Sequence, residues 1–186
     1  TAKILLRQGR PESACRILES SMSEKAKQYG ASSVEFQMSA MENIESLFQS
    51  ILSLMENKKY KSAIAPLQKI ILWTSNGENS LQIQDPTKFQ YRAYAFFLNG
   101  CAEKGCNNFE PALELFMSAA SYFESCMMVT ELVASYIGAS YSLISLNRED
   151  EALIHLRTAQ DLLSSPEIAQ KAESPIHEAM SLIYMR

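Results

Sequence analysis

Glycine and proline are scarce in this chain, six of each in 186 residues, and the glycines are scattered singly. That excludes the glycine-rich loop whose backbone amides cradle a phosphate. Histidine occurs twice, as His155 and His177, and the four cysteines, Cys15, Cys101, Cys106 and Cys126, form no Cys-x-x-Cys pair. A structural zinc site needs four ligands at tight local spacing, so no metal is expected. The thiols read as reduced and packed, which suits the cytoplasm or the nucleus. Basic residues do not gather either. The net charge is −4, and the longest basic grouping, Lys58, Lys59 and Lys61, reads as a solvated turn, so nucleic acid is not an expected partner. No apolar run approaches the roughly 18 residues of a membrane span, and no basic-then-apolar leader stands at the start. No membrane association is expected.

What the chain does have is apolar content, 47% of its residues, enough for the buried core of one domain over residues 1–186. Thr1–Gln8 already reads as the end of a helix, and Arg186 falls inside another, so the sequence reads as a fragment of a longer chain.

Four short stretches align: "GRPESA" (Gly9–Ala14), "KKYKSA" (Lys58–Ala63), "NNFEPA" (Asn107–Ala112) and "NREDEA" (Asn147–Ala152). Each joins two apolar helical runs and closes on alanine. Gly9, Asn107 and Asn147 can take the left-handed conformation that ends a helix. Pro11 and Pro111 suit a first helical turn, and the alanines permit close helix approach. The closing alanines are 49, 49 and 40 residues apart, room for two helices and short connections. The pattern predicts second helices near 11–28, 60–74, 109–125 and 149–164, and first helices near 34–56, 86–105 and 129–146. Thr74–Pro86 reads as a loop that Asp85-Pro86 ends by opening a helix. Ser165-Pro166 and Ser174-Pro175 read as two further helix starts. Pro66 falls within a predicted helix, where it should kink it.

This pattern resembles the tetratricopeptide repeat, whose unit carries a small residue at its eighth position, a Tyr-x-x-Ala corner, a bulky residue and a final alanine. A unit begun at Ala93 supplies Gly100, Phe109-x-x-Ala112, Phe116 and Ala119. One begun at Val133 supplies Ser140, Glu149-x-x-Ala152, Leu156 and Ala159. One begun at Ile44 supplies Tyr60-x-x-Ala63, Leu67 and Ile70, with Ile51 in the small-residue slot. The resemblance implies an all-α fold, a right-handed superhelical solenoid of antiparallel helix pairs. Its units lie near 1–30, 33–75, 86–126 and 129–164, with last helices over 166–186, and they are longer than the 34 residues of the family.

The resemblance also implies a concave groove lined by the first helices: Glu45, Phe48, Leu52 and Met55; Tyr94, Phe97, Cys101 and Lys104; Ala134, Ile137, Tyr141 and Ile144. Lys and Asn are absent from the slots that clamp a peptide carboxylate in chaperone-type members. The row suits a helix or an extended apolar segment of a partner protein, with Phe48, Leu52, Tyr94, Phe97, Tyr141 and Ile144 as the candidate partner-binding residues. The competing readings make the same side chains internal core, or cover them with another part of the same chain. His155 and His177 read as capped or packed residues, and nothing supports a Cys101–histidine dyad, so no catalysis and no cofactor are expected. The implied function is a protein–protein interaction scaffold, the arm of a hetero-oligomeric assembly like those of ubiquitin-ligase and chromosome-associated complexes. A reversible peptide-binding adaptor and a ligand-responsive regulatory domain are the alternatives.

Overall fold

A computed structural model describes residues 2–30, 33–75, 87–163 and 166–185, the last stretch by backbone alone up to residue 173. Among the described residues there are nine helices and no strand. They are α1 (Ala2–Arg7), α2 (Pro11–Tyr29), α3 (Val34–Glu56), α4 (Tyr60–Trp73), α5 (Thr87–Gly105), α6 (Phe109–Ser125), α7 (Val129–Ser145), α8 (Glu149–Asp161) and α9 (Pro166–Tyr184). The chain forms two compact units, Thr1–Arg92 and Ala93–Arg186, and α5 runs through the division.

One corner recurs five times. At Gly9, Lys58, Asn107, Met127 and Asn147 the backbone turns left-handed, with φ between 56° and 69°. The next residue's amide reaches back to the helix just finished at 2.9 Å each time: Arg10 to Leu5, Lys59 to Leu54, Asn108 to Glu103, Met128 to Phe123 and Arg148 to Leu143. This bond satisfies a carbonyl that the ended helix leaves orphaned. No side chain caps the helix that follows, so the backbone bonds make the corner, with the Asn57 side chain adding a bond to the Ser53 carbonyl before Lys58. Ser33 is different, since its hydroxyl accepts from the Phe36 amide at 3.2 Å to start α3.

The closing alanines, Ala14, Ala63, Ala112 and Ala152, have no exposed surface. At the last of them the Ser140 hydroxyl on α7 comes within 3.3 Å of the Ala152 carbonyl on α8, an approach that a larger side chain would block.

In the first unit the core stripe of α3, Phe36, Ala40, Ile44, Leu47, Ile51 and Leu54, is buried along with Ala14, Leu18 and Met22 of α2 and Ala63, Leu67 and Ile70 of α4. Two pairs fix the direction of α2 and α4: Ser62 donates to Glu12, and Lys69 pairs with Glu19, both 50 residues apart. These helices therefore run side by side the same way.

The second unit is organised around Phe116 of α6, which is 1% exposed. Glycines on two helices face its ring. A methyl built at Gly138 of α7 would lie 2.7 Å from it, and one at Gly100 of α5 3.0 Å. Parallel pairing appears here too. Tyr94 of α5 donates to Glu131 of α7, 37 residues on, and Lys104 lies over the Tyr141 ring at the same offset. Arg148 of α8 pairs with Glu110 of α6 at an offset of 38.

Two expectations change. Pro175 does not open a new helix but lies inside α9, because helix-favouring Lys171, Ala172 and Glu173 carry the helix up to it. The second helix begun at Glu149 stops at Asp161 rather than near 164. Pro66 lies within α4 and is buried. Ser165 and most of the Thr74–Pro86 loop, including Asp85-Pro86, lie outside the described residues.

Lys58 and Met127 occupy left-handed positions where a side chain costs roughly 1–2 kcal/mol, and Met127 is 88% exposed, so it offers little packing in return. Met127→Gly should therefore raise stability by about 0.5–1 kcal/mol in urea unfolding, after the entropy of the freed glycine is deducted. A loss of stability would show that the Met127 side chain holds the corner.

Candidate interaction surface

The six partner-binding candidates divide by burial. Leu52 is 45% exposed. Phe48, Tyr94, Phe97 and Tyr141 are half-buried. Ile144 is 4% exposed and belongs to the interior of the α7, α8 and α9 packing.

The half-buried rings are held by named partners. Phe48 packs against Tyr91, with centroids 6.0 Å apart, and the Tyr91 hydroxyl donates to Glu45 at 2.8 Å. Phe97 meets Phe116 and Phe123 edge-on at 5.7 and 6.3 Å. A charge at Phe97 would be driven among those rings, so Phe97→Glu reports on folding more than on binding. Tyr94 meets Phe123 edge-on at 5.2 Å and donates to Glu131 at 2.7 Å. Tyr141 carries the Lys104 ammonium over its ring at 5.1 Å, and its hydroxyl lies 3.5 Å from the Pro175 carbonyl of α9. Of the remaining groove positions, Ile137 is buried, while Cys101, Lys104, Ala134 and Met55 are half-buried.

An open apolar row lies on α3. Val34 and Met38 are each 68% exposed. With Met41, Phe48, Leu52 and Met55 they recur at alternating three- and four-residue steps, broken only by Glu45, along the whole helix. This stripe lies to one side of the core stripe of α3. The sequence signal for it was present, but a repeat begun at Ile44 takes in only its second half and leaves out Val34, Met38 and Met41.

No family model matches the chain, and no curated protein matches its sequence.

Chemistry at the remaining polar groups is muted. Among the described residues no three His, Cys, Asp or Glu side chains come together as a metal site, and no helix is long and apolar enough to cross a membrane. Burial pushes the Cys101 thiol up to about 11, with Lys104 acting against it. Burial, reinforced by Glu19, does the same to Cys15. Both are protonated near neutral pH and are poor nucleophiles. His155 stacks on Tyr136 at 5.6 Å, and burial holds it below its ordinary range against the pull of Glu151. Its imidazole is a packed ring.

Charge is distributed unevenly. Residues 1–92 hold twelve Lys and Arg against nine Asp and Glu, a net +3, whereas residues 93–186 hold five against twelve, a net −7. Any cationic ligand therefore has two places to go, the acidic second unit and whatever acidic surface the first unit presents.

Burial, and then the Glu131 contact, push the Tyr94 phenol up from 10.0 to about 12. The folded state thus keeps this proton longer than the unfolded chain, and the stability it contributes is lost as pH rises from about 10 towards 12. Urea unfolding across that window should show wild type losing stability faster than Tyr94→Phe. Parallel decline of the two would show that the Tyr94 proton is not linked to folding.

Proposed function

We propose that the chain is a protein–protein interaction scaffold built of irregular, elongated tetratricopeptide-like repeats, and not an enzyme. In this reading its antiparallel helix pairs stack as a right-handed superhelical solenoid. It serves as an arm of a hetero-oligomeric assembly in the cytoplasm or nucleus.

The observation that carries this is the recurrence of one backbone-made corner, combined with parallel pairing of alternate helices. In the first unit α2 and α4 pair at 50 residues and α3 and α5 at 46, and alternate helices of the second pair at 37 and 38, which is how successive copies of a two-helix unit lie beside one another. The second support is the α3 stripe. An apolar row along a 23-residue helix is a surface that folding alone does not require, and such patches mark interaction sites.

The test is affinity capture of the full-length protein with and without Met38→Glu and Leu52→Glu, with helicity followed by circular dichroism. Both side chains are well exposed, so the fold should survive. The scaffold reading expects a stoichiometric partner that the double variant loses. A wild-type chain that captures no partner but gains thermal stability from a small ligand would replace it with the regulatory reading.

A further inference from the structure

We infer that the exposed stripe of α3 receives a basic amphipathic helix from a partner protein. The inference rests on the interaction reading above and adds the chemistry of the partner. Positions 34 to 55 extend for about 32 Å at 1.5 Å per residue, a track that matches an amphipathic helix with apolar residues at three- and four-residue spacing. Three of its side chains, Met38, Met41 and Met55, are methionines, which repack around a docked helix at low cost.

Charge chooses the occupant. Every ionisable side chain on α3 is a glutamate, Glu35, Glu42, Glu45 and Glu56, and all four are exposed. The helix carries no Lys or Arg. Two cations of neighbouring helices are turned from it. Lys25 of α2 donates to Ser39, on the side of α3 away from the stripe, and Lys88 of α5 is buried. A second copy of this chain docked through α3 would set glutamates against glutamates, which costs energy in either orientation. A helix with Lys and Arg flanking its apolar face satisfies both the stripe and its border.

The experiment is a fluorescence anisotropy titration of the full chain with a labelled model helix of about 18 residues. Its leucines follow the three-four spacing and its other positions are lysine; the control peptide replaces lysine with glutamate. The lysine helix should bind in the micromolar range and the glutamate helix at least about tenfold more weakly. Met38→Ser with Leu52→Ser should weaken the lysine helix by a similar factor while leaving helicity unchanged. Glu42→Gln with Glu56→Gln should weaken it and flatten its salt dependence.

Equal binding of the two peptides overturns the inference, as does binding that ignores both α3 variants and so belongs to the acidic second unit. A wild-type dimer that the Met38→Ser, Leu52→Ser variant makes monomeric also overturns it and assigns the stripe to a second copy. If the peptide fails while Met38→Glu with Leu52→Glu still releases a captured partner, the basic helix is removed and the interaction reading stands. If both fail, both fall.

Discussion

The second unit depends on one aromatic ring held between two glycines. Phe116 reaches out from α6 into a slot whose walls are the backbones of α5 at Gly100 and α7 at Gly138. A glycine inside a helix costs about 1 kcal/mol relative to alanine, and this chain accepts that cost twice. The return is a ring buried to 1% exposure, and truncating such a ring typically costs about 3–5 kcal/mol. Burial of the ring therefore outweighs the two glycines, and it sets the spacing of three helices at once. Phe97 and Phe123 then meet edge-on beside the slot, so a ring that looks like part of a binding row in the sequence is half-buried by its neighbours.

The corners serve this packing. Because each is made by a left-handed residue and two backbone bonds, one from its own amide and one from the next, the helix after it starts at the same relation to the helix before it, whatever the side chains at the turn. At four of the five corners a buried alanine five residues later lets the two helices close, and after Met127 the same place holds the buried Leu132. A turn made by side-chain caps would tie the geometry to particular residues. Here asparagine, glycine, lysine and methionine all serve, the last two at some energetic cost.

Much of the fold was legible for the same reason. Gly9, Asn107 and Asn147 announce left-handed turns, and the alanines after them announce close approach, so the helix bounds fall within a few residues of expectation. The break between 125 and 129 was expected from the helix bounds, but the left-handed turn at Met127 was not, since methionine has no preference for that conformation. Pro175 was misplaced because serine-proline looks the same at a helix start as inside a helix whose flanks favour helix. The surface was harder to read than the fold. Periodicity tells which residues share a face but not whether another helix covers that face. On α7 Leu132, Val133, Ser135, Ile137, Gly138, Ala139, Ser140, Ser142, Leu143 and Ile144 are all buried. A helix buried over so wide an arc takes Ile144 inside, while Leu52 on α3 stays exposed.

The most direct test of this account is a double-mutant cycle between Gly138→Ala and Phe116→Leu, read by urea unfolding. Gly138→Ala alone should destabilise by about 1–3 kcal/mol, because the new methyl meets the ring. In the Phe116→Leu background, where a flexible side chain yields, the same change should cost less, with a coupling above about 0.5 kcal/mol. Additive effects, or a Gly138→Ala variant more stable than wild type, would mean that helix propensity governs Gly138 and that the ring does not set the spacing of these helices.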